Sequence, residues 1–108
     1  SMKLVLAIVS NDDSSMVSSA LTKEGVQVTK LATTGGFLMA GNTTFLTGVD
    51  DDKVDRVIEI IASQSSQRTQ IVPSAATVDM GMYASYPVEV TVGGSTIFVL
   101  NVERYEKV

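Results

Sequence analysis

With 108 residues, 44% of them apolar and 19% charged, the chain has material for one hydrophobic core and stands apart from the charge-rich, aliphatic-poor sequences that stay unfolded. A net charge of -4 and eight scattered basic residues provide no stripe that could follow a phosphate backbone, which argues against nucleic acid as a partner. Zero Cys and zero His remove disulfides, thiolate metal sites, Cys nucleophiles and the usual neutral-pH base together, so neither catalysis nor a cofactor is expected.

The first element is the apolar run at residues 3–10, closed by Ser10-Asn11-Asp12-Asp13, the pattern of a strand buried on both faces and central in its sheet. No run approaches the roughly 20 residues that span a bilayer, and residues 4–9 lack the length and cleavage site of a signal peptide. A cytoplasmic protein without membrane contact is therefore expected. Asp12 or Asp13 can cap a helix over residues 13–24, whose Val17, Ala20 and Leu21 share one face, with Gly25 placed for a left-handed C-terminal cap. Residues 26–32 carry alternating β-branched side chains and predict a second strand, leading into Thr33-Thr34-Gly35-Gly36; residues 43–49 predict a third.

Asp50, Asp51 and Asp52 suit the start of a second helix, where negative charge meets unpaired backbone N–H groups. Capping is the preferred reading, because an oxygen-ligand metal cage needs ligands at set loop spacing. Val54, Val57, Ile58 and Ile61 then mark the apolar stripe of a helix ending near Ser65. Residues 67–85 have no sustained period and read as one long loop. Residues 88–92 and 96–102, joined by Gly93-Gly94, read as a β-hairpin with a two-residue turn.

The resulting order predicts an α+β, ferredoxin-like βαββαβ sandwich with an additional C-terminal strand, all within one domain over residues 1–108. Strands apolar on both sides cannot leave one sheet face in water, so three copies packed about an axis are expected; the alternative is a monomer whose long loop folds over that face.

Gly35 and Gly36, set beside hydroxyls and followed by Phe37 and Leu38, can turn backbone N–H groups toward an anion while the aromatic ring stacks on a base. The same residues also suit a tight loop packed against a neighbouring subunit. No Gly-Lys-Ser/Thr follows, and no strand-to-helix glycine fingerprint is present, so neither NTP hydrolysis nor NAD binding is indicated.

The stretch TKLATTGGFLMAGNTTFLTGV, with YPVEVTVGGSTIFVL further on, strongly resembles the cyclic di-AMP receptor proteins of the PII-like superfamily. That resemblance covers nearly the whole chain. It implies a homotrimeric receptor of Gram-positive bacteria that binds one cyclic dinucleotide in each cleft between subunits and passes the signal to a downstream protein it does not identify. Carried over by position, it implies that Thr29 meets a phosphate or ribose oxygen, Asn42 pairs with an adenine edge, Gly48 offers backbone groups, and Phe37 and Leu38 pack on the bases, with Gly35 and Gly36 shaping their loop. Phe98 completes the pocket or, equally, is an ordinary core residue. The chain departs from the family pattern at Gly25 (often Asn), Gln27 (usually Arg), Met39 (commonly basic) and Lys107 (a Gln that reaches the base). Losing the Arg fork at position 27 implies weaker binding by about 1.5–3 kcal/mol, roughly ten- to a hundredfold, unless Lys107 or Lys30 compensates. The competing expectations are a related trimer that senses another nucleotide such as ATP, and an interaction module that binds none.

Overall fold

The computed structural model describes residues 1–33, 41–73 and 87–108, arranged as β1 (Met2–Ser10), α1 (Asn11–Lys23), β2 (Thr29–Thr33), β3 (Asn42–Asp50), α2 (Asp51–Gln64), β4 (Arg68–Pro73), β5 (Pro87–Val92) and β6 (Ser95–Asn101). Four strands form an antiparallel sheet in the order β2-β3-β1-β6. With both helices on one face, this is the ferredoxin-like α+β arrangement. As its continuous apolar run predicts, β1 is central, flanked by β3 and β6.

Alternation along the strands assigns the two faces. Val5, Ala7 and Val9 of β1 pair with Thr47, Phe45 and Thr43 of β3, and all six are buried beneath the helices. Val17 and Leu21 of α1 and Val57, Ile60 and Ile61 of α2 complete one aliphatic core around Phe45. Ile60 extends the apolar stripe beyond the residues its spacing suggests. On the opposite face Leu31, Phe98 and Leu100 are exposed, while Leu4, Leu6, Ile8 and Leu46 are half-buried.

The ends of the helices refine the capping assignments. Ser10, not Asp12 or Asp13, caps α1: its hydroxyl accepts the Asp12 N–H, which leaves both aspartates in the first turn. At the other end the N–H of Gly25 donates to the Thr22 carbonyl and that of Val26 to the Leu21 carbonyl, a Schellman cap that requires the positive φ of Gly25 (+78°). Asp50 begins α2 without a side-chain cap bond, and Asp51 instead lies 3.6 Å from the Lys3 ammonium.

Two expectations are corrected beyond α2. The segment expected to be loop from residue 67 onward begins with a strand, β4, which pairs with β5 as a separate two-stranded ribbon. Residues 88–92 and 96–102 consequently do not form a hairpin with each other. Gly93 and Gly94, both at positive φ, hand the chain from the ribbon to the main sheet, where β6 pairs with β1. The ladder of β4 satisfies β5, and the open edge of β1 satisfies β6, so each strand has a better partner than its neighbour across the glycines.

A side-chain clamp fixes the foot of the ribbon. Arg68 donates from Nη2 to Oδ1 of the buried Asp13 (2.9 Å), and from Nη1 to Oδ2 (3.2 Å) and to the Ser66 carbonyl (3.2 Å). That hydrogen bond and then the charge of Asp13 make the guanidinium hold its proton even more firmly than usual. Space for the clamp depends on Gly93, where an added Cβ would stand 2.6 Å from Arg68 Nη1 and 2.7 Å from the Ser66 oxygen. Beside it, the Asn11 N–H donates to the Gly41 carbonyl (2.8 Å), and the Thr43 hydroxyl donates to the Asn11 side chain (2.6 Å). The first turn of α1 thereby holds both the start of β3 and the base of the ribbon.

Candidate functional site

A groove of about 770 Å³ opens where α1 ends, β2 begins and β3 finishes, within the size range of roughly 300–1,000 Å³ usual for small-molecule sites. Its walls include Gly25, Gln27, Thr29 and Gly48, four of the residues singled out in the sequence. They meet because β2 runs antiparallel to β3: Thr29 lies opposite Leu46, which brings residues 25–29 alongside residues 46–48.

Local chemistry holds this wall in place. The Schellman cap ends α1 sharply, and Val26 and Val28 pack on the core, leaving Gln27 between them exposed. The Thr47 hydroxyl donates to the Gln27 carbonyl (2.6 Å), fixing the backbone at that point. Gly48 is also exposed, and the nearest atom to a Cβ built there would be the Met2 sulfur at 3.4 Å, an ordinary contact. The absent side chain at Gly48 therefore leaves room for a ligand without being demanded by the fold.

A second hollow of about 450 Å³ adjoins the first and shares Met2, Gly25, Val26, Gln27 and Gly48 with it. Its remaining lining includes Glu24, Asp50, Lys53 and Arg56, whereas the larger half has no charged residue on its walls among the described residues. Arg56 donates from Nη2 to Glu24 (2.5 Å) and from Nη1 to Glu59 (2.9 Å). The hydrogen bond from Arg56 and then its charge hold the Glu24 carboxyl below the usual carboxylate range.

The other candidate residues lie elsewhere. Asn42 starts β3 at its far end, six residues and about 20 Å along the strand from Gly48, beside a separate crevice lined by Gln67, Gly93 and Gly94. Phe98 lies on the open sheet face opposite Leu6 and is 42% exposed, which makes it more than a buried core ring. Lys107 is exposed in the segment after β6, two residues beyond Tyr105, which lines the groove. Gly35, Gly36, Phe37, Leu38 and Met39 lie outside the described residues, as do residues 74–85 of the segment expected to be a loop.

Ser18 and Thr22, on one face of α1, and Tyr105 also line the groove and were not singled out in the sequence. Tyr105 had a usable signal, an aromatic residue in a chain whose core is aliphatic; the two hydroxyls reach the groove only through tertiary packing. Exposed glycine backbone, hydroxyls and the Gln27 amide around an uncharged half-groove suit a planar polar group such as a base, while the charged half offers Lys53 and Arg56. No cluster of three or more carboxylates placed for a metal occurs among the described residues, and none of their helices is long and apolar enough to cross a membrane.

Residues 2–108 match the family model described as cyclic-di-AMP receptor. Among solved structures, the chain is similar to a protein from Pediococcus pentosaceus ATCC 25745 described as functionally unknown. The two are 38% identical over 99% of this chain and 97% of that one, with a TM-score of 0.79.

Proposed function

The chain belongs to the cyclic-di-AMP receptor family, whose members are binding and signalling proteins and not enzymes, and on that premise we propose that it is a cytoplasmic sensor that binds cyclic di-AMP at the seams of a PII-like homotrimer. The observation that carries the reading is the meeting of Gly25, Gln27, Thr29 and Gly48 in one groove. One groove half has no charged residue among the described ones and suits adenine; the other carries Lys53, a cation without an ion-pair partner among the described residues, for a phosphodiester of the dianionic ligand.

The open sheet face supports the trimer. Leu31, Phe98 and Leu100 form an exposed apolar surface that packing against further copies would remove from water, at about 25 cal/mol per Å² buried. Asn42 stands about 20 Å along β3 from Gly48, too far to join it around one small ligand within a single chain. In an assembly, a neighbouring chain supplies Asn42 to the same cleft, and Phe98 and Lys107 complete it. The signal passes to a downstream protein that docks on a surface altered by the ligand.

ATP is the weaker ligand on this reading. Arg68, which could have neutralised a triphosphate from the segment after α2, is committed to Asp13. Calorimetric titration with cyclic di-AMP and ATP, together with the solution mass, tests the proposal: a trimer that binds the cyclic dinucleotide in preference is expected, and a monomer or a preference for ATP would overturn it. Replacing Gln27 with Arg restores a fork onto a phosphate and is expected to tighten cyclic di-AMP binding roughly ten- to a hundredfold. Gly48→Ala is expected to keep the fold and weaken binding.

A further inference from the structure

We infer that Lys53 is the residue that meets a phosphodiester of the bound cyclic dinucleotide, taking the place of a cation at position 27. This rests on the receptor reading above, and it follows from accounting for each of the eight basic residues of the chain.

Four of the eight are committed. Lys3 is held by Asp51 and by the Asn101 side chain, Arg56 by Glu24 and Glu59, Arg68 by Asp13, and Arg104 by Glu106. Lys23, Lys30, Lys53 and Lys107 make no ion pair among the described residues. Lys23 lines a different groove, between the two helices, with Met16 and Ile60. Lys30 sits opposite Phe45 in the β2–β3 register, on the helix-facing side of the sheet, and neither it nor Lys107 lines either half of the candidate groove. Lys53 does: it stands on the wall of the smaller half, five residues beyond Gly48 in the chain and across from Gly25 and Gln27.

A cyclic dinucleotide carries two phosphodiester charges that do not titrate near neutral pH, and removing either from water needs a compensating cation. Within the shared groove, Glu24 and Arg56 neutralise one another, so among the described residues the charges left to act on a ligand are Lys53 and Asp50. Lys53 is therefore the attractive group, and Asp50 opposes it. An adenine in the neutral half then leaves its adjoining phosphodiester over Lys53, with Gln27, a neutral hydrogen-bonding group, at the boundary between the two halves. A lysine on a flexible stem supplies a point charge without the forked geometry of arginine, so the expected binding is salt-sensitive and weaker than a bidentate contact would give.

The test is calorimetric titration of the full chain with cyclic di-AMP at low and moderate salt. Lys53→Gln is expected to weaken binding about tenfold and flatten its salt dependence, Lys53→Arg to stay within about twofold of the native chain, and Asp50→Asn to tighten binding by roughly threefold. Lys53 is exposed and unpaired among the described residues, so the melting temperature of Lys53→Gln should match that of the native chain. Native-like affinity of Lys53→Gln, alongside a native chain that binds, would overturn the assignment and leave the receptor reading intact. Absence of binding by the native chain would overturn both.

Discussion

The sheet with its two helices and the β4–β5 ribbon are held together by different physics. In the first, Val5, Ala7, Val17 and Leu21 are fully removed from solvent, and Phe45 and Ile61 nearly so. In the ribbon none of the described residues is buried; Ile71 is 69% exposed, and Val88 is exposed as well. One face of the ribbon carries Val72, Val88, Val90 and Val92, but none of them is fully buried, and a two-stranded ribbon that buries so little is marginal by its own ladder. Its placement depends on the Arg68–Asp13 clamp and on the space left at Gly93. The difference separates a part whose stability comes from packing from a part whose orientation comes from a few polar contacts, and the second kind opens locally at low cost.

The contrast can be broken hardest from the core. Phe45→Ala removes the largest fully buried side chain and is expected to cost about 3–5 kcal/mol, read as a shift of the denaturation midpoint that every region of the main sheet shares. Gly93→Ala strikes the joint between the parts. It imposes a side chain at φ +76° and a clash with Arg68 and the Ser66 carbonyl, for an expected cost of about 1–3 kcal/mol. Hydrogen exchange should speed up in residues 68–72 and 88–92 while the β1–β3 amides keep their protection; equal loss in both would deny that the two parts are separable. The smallest effect concerns the exposed Glu24–Arg56 pair. Its hydrogen bond lowers the folded-state pKa of Glu24, so the pair's contribution is present at neutral pH, outlasts the ordinary carboxylate pKa and is lost as pH falls through the lowered value. Both groups are solvent-exposed, so stability should scarcely change, but Arg56→Ala should move the Glu24 titration upward in carbon NMR.

The same division decides how much could be read from sequence. α1 with its Gly25 cap and α2 announce themselves because burial imposes a period on their side chains, and β1 does so by its continuous apolar run. β4 carries no such period: Arg68, Thr69, Gln70 and Ile71 are all exposed, so it looks like loop, whereas the alternating valines of β5 read as a strand. Gly93-Gly94 reads as a hairpin turn because its local chemistry is that of one; which strand each flank pairs with is settled by distant partners. In the groove, Gly25, Gln27, Thr29 and Gly48 are legible as a set through the family resemblance and the antiparallel β2–β3 pairing. Lys53 is hidden among aspartates that look like a helix cap, and Ser18 and Thr22 arrive only when α1 docks on the sheet.

Arg68 and Val92 face each other at the foot of the ribbon, so the chain enters it from α2 and leaves it for β6 at neighbouring points. Whatever lies between those feet behaves as a cassette. It can be lengthened, trimmed or exchanged without re-threading any strand of the sheet, provided the replacement keeps an arginine and a glycine at its two ends. The groove between α1, β2 and β3 is untouched by such an exchange.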